Sequence, residues 1–214
     1  MCSGEGDGLA IPRRSEIHVR RFSLHHAACE PPSLTEAESR VADGMQGDAR
    51  ARYVAGRTLL RRWLGRLLGC DPPSVTIITG SDGKPALEDS TLSFNVSHAG
   101  DVVLIAVSRP RRLGVDVERV RPRLDVRMVL EEVVDPADRK ALVRAVDREG
   151  RLAFFRYWTR YEAAVKARGG GLRLPLAGLT QMAAGLEIRD LELSPGYVGA
   201  VAADGGPWET VICR

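Results

Sequence analysis

The chain has 214 residues, 44% of them hydrophobic and 28% charged, with a formal net charge of +3. This length is enough to bury a core in one large domain or two small lobes, and the composition is that of an ordinary globular protein. The longest clear apolar run, Val102 to Val107, is far too short to span a bilayer. Residues 1–14 are glycine-rich and charged with no signal core, and the four cysteines have no paired spacing. A membrane protein, a secreted protein, a zinc site and a disulfide framework are therefore not expected, and the reducing cytoplasm is the expected location.

Residues 1–15 read as a flexible tail. Ile17–Leu24 alternates as a strand, and Ser33 or Thr35 can cap a helix running towards Val41, with Glu36 and Glu38 at its positive end. Asp48 opens a long helix to about Leu68. Leu59, Leu60, Trp63, Leu64, Leu67 and Leu68 share one face of it, and six arginines between Arg50 and Arg66 flank that face with no acid among them. Such a stripe concentrates anions, and it reads equally well as a solvated helix face. Val75–Thr79 is a short strand before a glycine-rich loop. Leu92–Ser97 and Val102–Ser108 are strands joined at His98-Ala99-Gly100-Asp101. Arg109-Pro110-Arg111-Arg112 breaks the pattern and marks the boundary between lobes 16–112 and 113–214.

The second half opens with a strand over Leu113–Val117. Helices are expected around Val126–Glu132, Pro136–Val146 and Arg151–Arg168, the last stopped by Gly169-Gly170-Gly171. Leu186–Leu193, Tyr197–Ala202 and Thr210–Ile212 are closing strands. The architecture predicted is α+β.

Four short segments carry residues suited to phosphate chemistry. In Gly114-Val115-Asp116-Val117-Glu118, strand alternation puts Asp116 and Glu118 on one face and the valines in a core. Paired carboxylates of this kind suit magnesium, and they suit solvent equally. In Trp158-Thr159-Arg160-Tyr161-Glu162-Ala163-Ala164-Val165-Lys166, Glu162 and Lys166 are helical neighbours at i,i+4. They form either an exposed ion pair or a base and cation beside a phosphate. The aromatic residues around them argue for burial, where an acid needs partners. In Phe94-Asn95-Val96-Ser97-His98, Asn95 and Ser97 share a strand face and His98 falls at the hairpin corner. In Gly83-Lys84-Pro85, backbone N–H groups and a lysine can clasp an anion, without the spacing of a P-loop. Lys84, Lys140 and Lys166 are the chain's three lysines.

Taken in order, Gly83-Lys84-Pro85, Asn95-Val96-Ser97-His98, Gly114 to Glu118, and Trp158 to Lys166 followed by Gly171-Leu172 resemble the motifs of the two-lobed, surfactin-type 4′-phosphopantetheinyl transferases. Ala55 to Arg61 resembles that family's long first-lobe helix. The resemblance implies a pseudo-twofold fold of two similar lobes, each a small antiparallel sheet on a long helix, with coenzyme A in the cleft between them. It implies Asp116, Glu118 and Glu162 as ligands of Mg2+. Arg40, Arg52, Gly83, Lys84, Pro85, Asn95, Ser97, His98, Asp116 and Lys166 would bind coenzyme A, and Glu162, Lys166 and Asp116 would serve catalysis. Tyr161 departs from the pattern, because lysine commonly stands before the motif glutamate.

The reaction so implied moves the phosphopantetheine arm of coenzyme A to a serine of an acyl, polyketide or peptidyl carrier protein. The carrier docks transiently on a monomer, with no nucleic acid or membrane as partner. Two other readings stand beside it. One is a non-enzymatic binder using the Arg50–Arg66 helix to grip nucleic acid or an acidic protein, and the other is a metal-dependent phosphohydrolase.

Overall fold

The computed structural model describes residues 10–27, 31–80, 83–88, 92–169 and 178–213. The expected tail over 1–9, Cys2, Cys29, Ser81-Asp82 and Gly170 to Leu172 lie outside them. In chain order the elements are β1 (Glu16–Ser23), α1 (Leu24–Ala27), α2 (Glu36–Asp43), α3 (Gly47–Leu68), β2 (Ile77–Thr79), β3 (Pro85–Leu87), β4 (Ser93–Ala99) and β5 (Val102–Ser108). Then come β6 (Leu113–Arg119), α4 (Val126–Val133), α5 (Pro136–Glu149), α6 (Arg151–Arg168), α7 (Leu179–Met182), β7 (Glu187–Leu191), β8 (Tyr197–Ala203) and β9 (Glu209–Cys213). The architecture is mixed α+β.

Local chemistry explains most boundaries. Thr35, not Ser33, caps α2 in a reciprocal box with Glu38. Gln46 precedes α3, so Asp48 sits inside its first turn, and Gly69 closes the helix at φ 69°. Asp135 caps α5 with Pro136 in its first turn. Gly100 takes φ 56° in the two-residue turn between Ala99 and Val102. His98 therefore lies within β4, paired with Val103, and not at the corner.

Two larger sheets run in the orders β4-β5-β1-β9, antiparallel except for β1–β9, and β6-β8-β7, antiparallel throughout, beside a small β2-β3 hairpin. β5 is buried along its whole length because both of its faces are covered. Val103, Ile105 and Val107 pack with Leu60, Trp63, Leu64 and Leu67 of α3. Val102, Leu104 and Ala106 pack with Leu113, Val115, Val117 and Val201 of the second sheet. On the outer face of that second sheet, Ala200 and Ala202 meet Ala163 and Ala167 of α6. The layers thus run α3, first sheet, second sheet, α6.

One closing strand crosses back to the first sheet. β9 follows the second sheet in sequence, yet it pairs in parallel with β1, Ile17 opposite Thr210 and Val19 opposite Ile212. It covers an edge of β1 that would otherwise present unpaired peptide groups, and Val211 and Cys213 join the core under α3. The C-terminal segment therefore ties the two halves together.

The approach of α6 to β6 is set by small residues. A Cβ at Gly114 would lie 2.0 Å from the carbonyl oxygen of Ala163 and 2.5 Å from the nitrogen of Ala167. Backbone atoms cannot swing aside, so any side chain there must push the helix outward. Gly114→Ala is expected to cost about 1–3 kcal/mol, or roughly 2–12 °C in melting temperature. A calorimetric melt identical to that of the unaltered chain would mean that α6 has slack at this contact.

Candidate active site

β4 and β6 are edge strands of different sheets, and they face each other without a backbone ladder. Side chains from the first half take the place of a neighbouring strand. Asn95 Oδ1 accepts from Val115 N at 2.8 Å, and Ser97 Oγ accepts from Val117 N at 3.3 Å. Lys84 Nζ donates to the carbonyls of Leu113 at 2.6 Å and Lys166 at 2.9 Å. A lysine on the last-turn carbonyls of a helix also complements the helix dipole. The structure thus places the Lys84 ammonium on main-chain carbonyls of β6 and α6.

Asp116 sits at the centre of this seam, 5% exposed. Its Oδ1 receives the Ser97 hydroxyl at 2.7 Å and the Lys166 ammonium at 2.6 Å. Lys166 also donates to Ser97 Oγ at 3.0 Å and Val115 O at 3.3 Å. Asp116 Oδ2 is buried with no hydrogen-bond partner. Val115 and Val117 are in the core, as alternation requires. Burial, with Asp116 repelling it, pushes the Glu118 carboxyl above the usual range, and the neighbouring Glu162 raises it further. The Glu162 carboxyl is pushed up by burial first and by Asp116 second, against the pull of Lys166.

Three carboxyls therefore share one neighbourhood on the α6 side of β6, and an orphaned buried oxygen with two strained acids has the donor chemistry of a hard-cation site. Among the described residues, no three His, Cys, Asp or Glu side chains are gathered to hold an ion, and Lys166 serves as the cation of Asp116. The Lys166 ammonium supplies the counter-charge of the buried Asp116 carboxylate.

Beside this cluster, a cleft of about 410 Å³ opens between α3 and β4. Arg52, Tyr53, Gly56 and Arg57 of α3 form one wall, and Pro85, Phe94, Asn95, Val96 and His98 form the other. Of the residues expected at coenzyme A, Arg52, Pro85, Asn95 and His98 are here. Arg40 is not; it is exposed at the end of α2, 3.6 Å from Glu36. Gly83, at φ 80°, turns the β2–β3 hairpin, its N–H donating to Gly80 O at 2.9 Å. Tyr53 was not singled out from sequence, and Arg57 was named only as part of the arginine stripe and of the segment Ala55 to Arg61.

Three of the six arginines in the stripe hold structure, while Arg50, Arg52 and Arg66 are exposed. Arg57 and Arg61 both clamp Glu38, and Arg61, 3% exposed, donates to the carbonyls of Pro72 and Val75. Burial would raise the Glu38 carboxyl, but the Arg61 bond, the Thr35 N–H and Arg57 together hold it below the usual range. Arg62 reaches Ser33 and Pro31 O. Tyr161 lies 7% exposed in a stack with Tyr157 and Trp158, ring centroids 6.4 and 5.7 Å away. Its phenol belongs to that aromatic layer between α6 and α7.

Comparison with known proteins agrees with this arrangement. Residues 112–203 match the family model described as the 4′-phosphopantetheinyl transferase superfamily, and residues 29–110 match that described as 4′-phosphopantetheinyl transferase, N-terminal. The chain is 36% identical to 4′-phosphopantetheinyl transferase HetI of Nostoc sp., over 91% of its own length and 90% of the relative's. It is 39% identical to 4′-phosphopantetheinyl transferase AcpT of Escherichia coli O157:H7, over 72% and 73% of the two chains. With 4′-phosphopantetheinyl transferase gsp of Aneurinibacillus migulanus the identity is 27%, over 78% and 67%. The chain belongs to the 4′-phosphopantetheinyl transferase superfamily.

The raised carboxyls have a measurable consequence. Glu118 and Glu162 bind protons more tightly in the folded chain than in the unfolded one. The stability they lend is complete below the ordinary carboxylate value of 4.5 and is lost as pH rises through their elevated values. In metal-free buffer at pH 7, Glu162→Gln should therefore melt above the unaltered chain, and the gap should close as pH falls towards 4.5. Melting curves across that range check it; a less stable variant at pH 7 would show that Glu162 is not strained by its surroundings.

Proposed function

We propose that this chain transfers the 4′-phosphopantetheine moiety of coenzyme A to a serine of an apo carrier protein, giving holo carrier and 3′,5′-adenosine bisphosphate. The observation that carries the proposal is the buried, unpartnered Oδ2 of Asp116, flanked by two carboxyls held above their usual range, beside an arginine-lined cleft. The lobes are 16–112 and 113–214, with the last strand crossing back to the first sheet.

Each group then has a role set by its chemistry. Arg52 and His98 would meet the anionic nucleotide portion of coenzyme A, and the apolar floor of Leu60 and Phe94 would receive its flat base. Asp116, Glu118 and Glu162 would hold magnesium, which when bound supplies positive charge to the pyrophosphate. Lys166, already turned towards Asp116, adds a fixed cation where charge accumulates during transfer. The carrier serine oxygen forms a bond to the β-phosphorus, the bond from that phosphorus to the bridging oxygen breaks, and the bisphosphate leaves with that oxygen. Glu162 would accept the serine proton directly or through a water, a role that competes with its place as a metal ligand.

Carrier proteins of polyketide and peptide synthesis are the proposed partners, docking on a cytoplasmic monomer. No described helix is long and apolar enough to cross a membrane.

Incubation with coenzyme A, magnesium and apo carriers of fatty-acid, polyketide and peptide type should add the mass of the arm to at least one of them. No mass gain on any carrier type would reject the proposal. Asp116→Ala and Glu162→Gln should each lower the rate roughly 100-fold or more while leaving the circular dichroism spectrum unchanged. Full activity in either variant would remove that acid from the site.

A further inference from the structure

Gly56 and Gly65 both lie inside α3, neither with a positive φ. Glycine weakens a helix interior relative to alanine, because it has more backbone freedom to lose on folding. Gly65 has a reason in packing. A Cβ there would lie 2.8 Å from the carbonyl oxygen of Cys70 and 3.3 Å from Cα of Pro72, where the chain turns back after the helix. At Gly56 a Cβ would meet nothing within 4 Å among the described residues. Neither its backbone conformation nor a packed neighbour therefore calls for glycine at position 56.

The open space at Gly56 belongs to the cleft. Tyr53, Gly56 and Leu60 follow one another on a single face of α3 at helical spacing, and all three line the cleft, with Pro85 and Phe94 on its other wall. Bare helix backbone thus lies between an aromatic ring and an apolar side chain, which is a surface suited to a flat ring. We propose that Gly56 is a specificity-determining residue of the transfer reaction, one that leaves room for the base of the coenzyme A nucleotide to lie against α3. The inference rests on the transferase reading above. A planar base gains from a surface only when it reaches van der Waals contact, and a branched side chain at position 56 would hold it away. Arg52 stands one turn earlier on the same wall, where it faces the anionic groups beside the base. The stability given up in the helix is thus explained by the ligand, whereas at Gly65 it is explained by the fold.

Gly56→Ala and Gly56→Leu are compared with Gly65→Ala. Each is measured for melting temperature, for calorimetric affinity towards coenzyme A and towards 3′,5′-adenosine bisphosphate, and for steady-state loading of a carrier. Gly56→Ala should melt about 2–4 °C above the unaltered chain, because alanine is the better helix former and meets no neighbour there. Coenzyme A affinity should fall about tenfold or more in Gly56→Leu and by less in Gly56→Ala, with the bisphosphate weakened by the same factor. KM for coenzyme A should rise more than kcat falls. Gly65→Ala should do the reverse, melting lower while its coenzyme A affinity stays within about twofold. Gly56→Ala melting below the unaltered chain would give this glycine a structural role and overturn the proposal. So would a coenzyme A affinity within about twofold in Gly56→Leu, or a loss for coenzyme A that the bisphosphate does not share. An unaltered chain that binds neither ligand and loads no carrier would refute the transferase reading itself. Normal loading by the unaltered chain with an unimpaired Gly56→Leu would refute only the role of Gly56.

Discussion

The free edge of β6 is the constraint on which the site depends. A buried strand edge must satisfy its peptide groups, and here no strand is close enough to do so. Lys84, Asn95, Ser97 and Lys166 cover Leu113 O, Val115 N, Val117 N and Val115 O instead. Side-chain coverage holds the two sheets together while keeping β4 and β6 farther apart than laddered strands. The polar groups that fill this wider seam are the ones that surround Asp116. Fold and chemistry thus draw on the same hydrogen bonds, and a substitution in the seam disturbs both.

Close packing on the other face completes the arrangement. Gly114, Ala163, Ala167, Ala200 and Ala202 let α6 lie against the second sheet with little between them but backbone and methyl groups. That contact brings Lys166 within 2.6 Å of an aspartate, the shortest acidic side chain. Lys84 then fastens the last turn of α6 from the first half of the chain. The strain is electrostatic. Glu118 and Glu162 are held where burial and Asp116 both oppose their charge, a cost that a divalent ion would relieve and that Lys166 offsets in part.

Much of this was legible in the sequence, for local reasons. The bounds of α6 follow from Gly150 and Gly169, and the α2 cap follows from the spacing of Thr35 and Glu38. Alternation in β6 correctly separated Val115 and Val117 from Asp116. The run Val102 to Ser108 read as a strand, but a continuous apolar run cannot say what covers each face, and here α3 covers one and the second sheet the other. Thr210–Ile212 read as a closing strand, but its pairing with β1 joins segments nearly the whole chain apart, and local sequence does not carry that. Asn95 and Ser97 were recognised as sharing a face, while their partner, the backbone of β6, is a tertiary fact that residue types do not encode. The arginine stripe looked available to a ligand until Glu38 and the carbonyls of Pro72 and Val75 claimed Arg57 and Arg61. Tyr161, read as a missing cation, is in place an aromatic layer residue.

The central claim is that Asp116, Glu118 and Glu162 form one cation site at the junction of the two sheets. Crystals grown with coenzyme A and manganese(II), examined at a wavelength where manganese scatters anomalously, test it directly. The account predicts an anomalous peak bonded to Asp116 Oδ2, with Glu118 and Glu162 contributing and the pyrophosphate alongside. Coenzyme A bound in the cleft with the manganese peak away from these carboxyls, or with none at all, would contradict it.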